Sequence, residues 1–129
     1  MQRLVNCEFI LDILDIQNIS GANQDFEIAF VTTDEKKYKF VFSGVWDMRY
    51  SMEIANVERF CRFREHLPTD LIENGIYVVE DSEYIKYFGS QVLNAYSTNE
   101  LMHYVIIDWT DTILDLLVNG DKPTLVPLQ

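Results

Sequence analysis

Residues 45–54 read Val-Trp-Asp-Met-Arg-Tyr-Ser-Met-Glu-Ile, with an apolar side chain at every second position from Trp46 to Ile54. Successive side chains of a β-strand point to opposite faces of its sheet, whereas a helix turns about 100° per residue and would scatter these side chains around its surface. The alternation therefore predicts a strand with one buried and one solvated face. We expect Tyr50 to lie on the buried face.

The same period of two predicts strands on both sides of this one. Residues 4–16 are typical of one long first strand, and residues 26–31 and 38–42 of an antiparallel hairpin closed by the charged link 33–37. The connection Ser43-Gly44 is so short that the strands on either side of it are predicted to be hairpin neighbours or one bent, bulged strand.

Later in the chain, the runs 76–79, 103–107 and 112–118 have the composition of strands. Residues 56–66 fit either a strand or a helix, and we favour the strand because apolar and basic residues alternate there, although imperfectly. Two prolines in the tail exclude a central strand there, because proline cannot donate a ladder hydrogen bond.

Residues 81–96 carry a helical pattern that begins at Asp81-Ser82, a pair typical of a helix N-cap. The apolar residues that recur at spacings of three and four are Tyr84, Ile85, Phe88, Val92, Leu93, Ala95 and Tyr96. We therefore predict an α+β fold in one domain over residues 1–129, with an antiparallel sheet of about six or seven strands and this helix on one face. Its stripe is expected to meet the aromatic side of residues 26–54, which places Phe88 in the core.

The chain holds 10 Lys and Arg against 21 Asp and Glu, which gives a net charge of −11 over 129 residues. This charge repels phosphate backbones and favours basic partners, so we expect no nucleic-acid binding. The first residues lack the pattern of a signal peptide, and no apolar run approaches the roughly 20 residues that cross a bilayer. We expect a cytoplasmic protein that does not bind membranes.

Residues with catalytic or metal-binding chemistry do not form a specific motif. Cys7 and Cys61 lack the close spacing of a zinc or redox pair and are expected to be free thiols. The alternative, a Cys61 nucleophile with His66 as its base, is the weaker hypothesis. His66 and His103 have no third ligand at a recognisable spacing, so no metal site, cofactor or catalytic residue is predicted.

The connection Asp108-Trp109-Thr110-Asp111, with Asp115 beyond it, is the predicted partner-binding segment. A rigid ring among charges has the composition of an interface anchor. The structural alternative is a tryptophan that folds back over the sheet edge, with the acids as a solvated turn. A calcium loop is excluded because the glycine and the terminal glutamate that such a loop needs are missing.

Three groups of residues carry a resemblance to a known class of protein: 46–53, 75–88, and 103–107 with 113–117. Together they resemble a group of small bacterial proteins, some of which are similar to immunity proteins of secreted polymorphic toxins. The resemblance covers most of residues 40–118 and brings no catalytic residues with it. It implies a non-enzymatic protein that occludes a cognate toxin, and the charge is compatible with a basic, nuclease-like toxin. The alternative class is a small hydrolase or ligand-binding enzyme that uses carboxylates in a pocket beside the helix.

Overall fold

The computed structural model describes residues 2–52, 74–92 and 97–129, which form nine β-strands and one α-helix. The predicted α+β class is confirmed in this broad sense. In chain order the elements are β1 (Arg3–Asn6), β2 (Ile13–Ala22), β3 (Asp25–Thr32), β4 (Lys37–Phe42), β5 (Val45–Met52), β6 (Ile76–Glu80), α1 (Glu83–Gln91), β7 (Met102–Ile107), β8 (Thr112–Val118) and β9 (Thr124–Pro127).

The strands form two antiparallel sheets, which corrects the prediction of a single sheet of six or seven strands. One sheet has the order β1-β6-β7-β8-β5 and the other the order β2-β3-β4-β9. The hairpin β3-β4 is confirmed, with Phe30 opposite Tyr38. The predicted long first strand is wrong, because residues 7–12 leave the five-stranded sheet after β1 and enter the four-stranded sheet at β2.

The main core lies between the facing sides of the two sheets. Phe30 and Phe40 stack with ring centroids 4.8 Å apart, and Phe42 meets Tyr104 of the other sheet edge-on at 5.6 Å. A second apolar cluster covers the opposite side of the five-stranded sheet, and its members are Leu4, Tyr77, Val79, Val105, Ile107 and Ile113. The five-stranded sheet is therefore buried on both faces, which explains why β8 is buried along its whole length.

The two residues between β4 and β5 carry the chain from one sheet to the other, so neither predicted alternative for Ser43-Gly44 is correct. Gly44 has φ of 70°, and a Cβ atom there would lie 2.1 Å from the carbonyl oxygen of Asn119. Glycine is required because this backbone conformation and this close approach both exclude a side chain.

The alternation in residues 45–54 is interrupted by a bulge between Val45 and Asp47. The extra residue turns Trp46 away from the main core and onto α1, where its ring lies 6.1 Å from that of Phe88. Tyr50 is 58% exposed although it lies opposite buried Leu114, so its predicted burial is wrong. Residues 53 and 54 lie outside the described ranges.

Helix α1 begins after the predicted cap Ser82, whose hydroxyl accepts a hydrogen bond from the Ile85 amide at 3.1 Å. It packs on the side of the five-stranded sheet that faces away from β3 and β4, so the predicted contact with residues 26–42 is wrong. Phe88 is half-buried against β5. Residues 93–96 of the predicted helix, and the ambiguous segment 56–66, lie outside the described ranges.

Candidate functional site

The connection between β7 and β8 is organised by the carboxylate of Asp108, which is fully buried. Its Oδ1 atom accepts hydrogen bonds from the amides of Thr110 and Thr112, at 3.0 and 2.9 Å, and thereby closes the turn. Its Oδ2 atom accepts the amide of Ile16 at 2.9 Å, which ties the turn to β2 in the other sheet. The turn is thus held in place by charge-assisted hydrogen bonds to a buried carboxylate.

Trp109 projects from this turn with 51% of its surface exposed. Its backbone amide donates to the carbonyl oxygens of Ile13 and Leu14, each at 3.1 Å, and its indole N–H donates to Oδ1 of Asp12 at 2.7 Å. The ring is therefore held in one orientation while about half of it remains available to a partner.

Three further carboxylates lie at or beside this turn. Asp12 holds the indole, Asp15 accepts the hydroxyl of Thr110 at 3.2 Å, and Asp111 is exposed with φ of 64°. Within the described ranges none of these three acids forms a salt bridge with a Lys or Arg. We call Asp12, Asp15, Trp109, Thr110 and Asp111 the Trp109 surface.

The four sequence-predicted site residues divide into two pairs. Trp109 and Asp111 lie on the surface, whereas Asp108 and Asp115 are both 0% exposed and bind groups inside the protein. The exposure expected of these two acids is therefore wrong, because buried hydrogen-bond donors hold their charges. The binding role of the segment stays a prediction.

Sequence reasoning missed Asp12 and Asp15, which precede Trp109 by 97 and 94 positions. Both lie in a stretch that was predicted as part of one long strand. Their closeness to Trp109 depends on the passage from β1 into β2 and on the packing of β2 against the β7-β8 turn. Only the acidic composition of residues 8–15 gave any local signal.

A second group of polar side chains lies under α1. The Ser82 hydroxyl lies 2.7 Å from Nδ1 of His103, and Nε2 of His103 lies 2.6 Å from Oδ1 of Asp115. Because a carboxylate can only accept, a neutral His103 carries its proton on Nε2 and accepts the Ser82 hydroxyl at Nδ1. The ring of His103 also meets Tyr84 edge-on at 5.3 Å.

Tyr84 extends this network to β5. Its hydroxyl donates to Oδ2 of Asp47 at 2.6 Å, and the guanidinium of Arg49 lies 3.9 Å from its ring centroid. Burial, followed by the hydrogen bond to Asp47, raises the pKa of Tyr84 well above its ordinary value. Tyr84 therefore stays protonated and acts as a fixed donor that anchors α1 to the sheet.

Ser82, His103 and Asp115 have the residue types of a serine hydrolase, but Ser82 is 6% exposed and its hydroxyl already accepts the Ile85 amide. Two cavities of about 420 and 380 Å³ lie among the described residues, and Ser82 lines neither. The arrangement accounts for the capping and docking of α1 without a reaction.

Comparison with known proteins gives no further guide: no protein-family model, no curated protein and no solved structure matches the chain. In residues 2–52, 74–92 and 97–129, no three or more His, Cys, Asp or Glu side chains are grouped so that they could hold a metal ion. The helix in these ranges lacks the length and apolar character needed to cross a bilayer. The geometry of the Trp109 surface is therefore the main guide to function.

Proposed function

We propose that the chain is a non-enzymatic binding protein of the immunity type, which inhibits a cognate toxin by occluding it with the Trp109 surface. The observation that carries this proposal is the half-exposed Trp109, whose indole Asp12 holds in place near half-buried Asp15 and exposed Asp111. The sequence resemblance in residues 46–53 and 75–88 supports the same class.

A fixed aromatic ring is a favourable anchor. Binding normally costs free energy to immobilise side chains, at about 0.5 to 1.5 kcal/mol for each flexible one. The hydrogen bond from Trp109 to Asp12 has already ordered the indole, so this cost is mostly met in the free protein. Tryptophan is also enriched among the residues whose truncation weakens interfaces most.

The negative charge of the Trp109 surface favours a basic partner. Asp15 and Asp111 add to a net charge of −11, which attracts a basic protein and speeds its association. A nuclease-like toxin has such a basic surface, because it must bind nucleic acid itself. The protein would act in the cytoplasm of the cell that makes the toxin, without binding nucleic acid or membrane.

The test is to search the genes beside this one for a secreted toxin, to coexpress the chain with that toxin, and then to measure binding rates for the purified pair. We expect growth to be restored and Trp109→Ala to weaken binding by about 2 kcal/mol or more, about 30-fold in Kd. Asp111→Asn should mainly slow association at low salt, because rim charges act on encounter.

Tyr87→Ala is the matched control, because Tyr87 is 53% exposed and lies on α1 rather than on the Trp109 surface. If Trp109→Ala and Tyr87→Ala bind alike, the Trp109 surface is not the interface. If the wild-type chain neither restores growth nor binds the toxin, the immunity function itself is wrong.

A small hydrolase is the second candidate, and the hydrogen-bonded series Ser82, His103 and Asp115 is the observation that favours it. It differs from the predicted carboxylate enzyme, because the nucleophile would be the Ser82 hydroxyl. Hydrolysis of a simple activated ester by the wild-type chain, lost in Ser82→Ala while the fold is kept, would favour this candidate over the binding protein.

A further inference from the structure

A cavity of about 380 Å³ opens beside β1, β6 and β7, and its lining shares no residue with the Trp109 surface. Val5, Val78 and Tyr104 line it and form a row of paired residues across these three strands. Residues 7–9 of the connection to β2 line it from one loop, and Lys122 lines it from the loop before β9. Its volume is in the range of small-molecule sites, about 300 to 1,000 Å³.

Tyr104 gives this cavity a hydroxyl group that has no protein partner in the described ranges. The residue is 4% exposed, and its ring is held by an edge-on contact with Phe42 at 5.6 Å. No residue in the described ranges forms a hydrogen bond with its hydroxyl. Because the hydroxyl atom is not closed off from solvent, it can form a hydrogen bond with a molecule that enters the cavity.

The charge beside Tyr104 is negative. Burial is the main reason that the pKa of Tyr104 lies above its ordinary value, and the negative charge of Glu8 adds to the effect. Glu8 is exposed and lines the cavity. The Cys7 thiol donates to the carbonyl oxygen of Ile76 at 3.5 Å, and burial raises its pKa, so it stays a neutral part of the wall.

We propose that this cavity binds a small organic amine, with its ammonium group between the Tyr104 hydroxyl and the Glu8 carboxylate and its apolar body against Phe9 and Val78. An ammonium group donates to both oxygens, and the net charge of −11 favours a cation over an anion. Lys122 also lines the cavity and would favour a carboxylate instead. Whether the cavity prefers an amine or a carboxylate therefore tests the proposal.

The experiment uses 2-phenylethylamine as the probe and 3-phenylpropionate as an anion of similar size. Binding is followed by NMR shifts of the Val78 methyl groups and by the alkylation rate of Cys7, read by mass spectrometry of its peptide. We expect the amine to bind with a Kd on the order of 1 mM, as suits a ligand of about nine heavy atoms, and to slow alkylation of Cys7.

Tyr104→Phe and Glu8→Gln should each weaken the amine about tenfold, since each removes one polar contact. Asp25→Asn is the control, because it removes a surface charge that does not line the cavity. Equal binding of the anion, an unchanged Kd in both variants, or no shifts at about 20 mM amine would overturn the proposal.

Discussion

At the scale of single residues, we expect Asp108 to contribute more to stability than an aspartate in a surface turn usually does. Its carboxylate accepts amides from Ile16, Thr110 and Thr112 and is closed off from water. We expect Asp108→Ala to lower the free energy of unfolding by about 3 to 5 kcal/mol, because three amides lose their acceptor in a buried place. Urea denaturation followed by far-UV circular dichroism measures this change.

Asp111→Asn is the comparison for this variant, because Asp111 is exposed three residues further along the same turn. It should stay within about 0.5 kcal/mol of the wild type. Equal midpoints for the wild type and Asp108→Ala would show that the Asp108 hydrogen bonds do not hold the turn.

The sequence indicated the segment 108–111 as a candidate site, but it did not show which of its acids are buried and which are exposed. Residue type predicts exposure for an aspartate, because burial of an unpaired carboxylate is costly. Asp108 and Asp115 are buried because Ile16 and His103 supply donors, and Ile16 is 92 positions away from Asp108. Long-range partners of this kind leave no mark on local composition.

At the scale of elements, Ser82 does two things at once for α1. Its hydroxyl caps the helix through the Ile85 amide and also lies within hydrogen-bond distance of Nδ1 of His103. We expect Ser82→Ala to lower the free energy of unfolding by about 2 kcal/mol, since both the cap and a buried hydrogen bond are lost. Thermal and urea unfolding of the purified variant test this.

Ser90→Ala provides the reference within the same helix. Ser90 is exposed, and among the described residues its hydroxyl donates only to the carbonyl oxygen of Tyr87, so its loss should change stability by less than about 0.5 kcal/mol. If the two serine variants unfold together, Ser82 does not secure the helix as described.

Elements with strong local signals were predictable: the hairpin β3-β4, the cap at Ser82 and the strands β7 and β8. The bulge at Val45–Asp47 was not predictable. One inserted residue changes which face of the sheet the neighbouring side chains point to, but the alternation of apolar and polar residues in the sequence looks the same. This single residue explains why Trp46 meets α1. Tyr50 and Met48 share a face, but Tyr50 is exposed and Met48 packs against the main core.

At the scale of the whole molecule, a net charge of −11 opposes the compact state through repulsion among carboxylates. We expect Tm to rise by about 3 to 5 °C when NaCl increases from about 20 mM to about 500 mM, because the screening length falls from roughly 20 Å to roughly 4 Å. Differential scanning calorimetry at constant pH measures the rise.

The double variant Asp25→Asn with Asp111→Asn separates screening from other effects of salt. It removes two exposed negative charges and should therefore start from a higher Tm and gain less from added NaCl. A Tm that does not change with salt, or a double variant with an undiminished salt response, would contradict the repulsion argument.

The sheet to which each strand belongs was the least predictable feature of the fold. Alternation identifies a strand but does not identify its neighbour, and β1 pairs with β6, where Leu4 faces Val79. Two residues at Ser43-Gly44 are enough to change sheets, whereas the sequence favoured a hairpin or a bulge. Pairing of distant strands depends on the packing of the whole chain.

The division into two sheets also predicts an order of assembly during synthesis. Strands β2, β3 and β4 are contiguous, so this meander can form as soon as residue 42 is available. Its inner face bears Ile28, Phe30, Phe40 and Phe42, and the strands β7 and β8 that cover this face are made about 60 residues later. We therefore expect the phenylalanine-rich face of this meander to stay partly uncovered until β7 and β8 have been made.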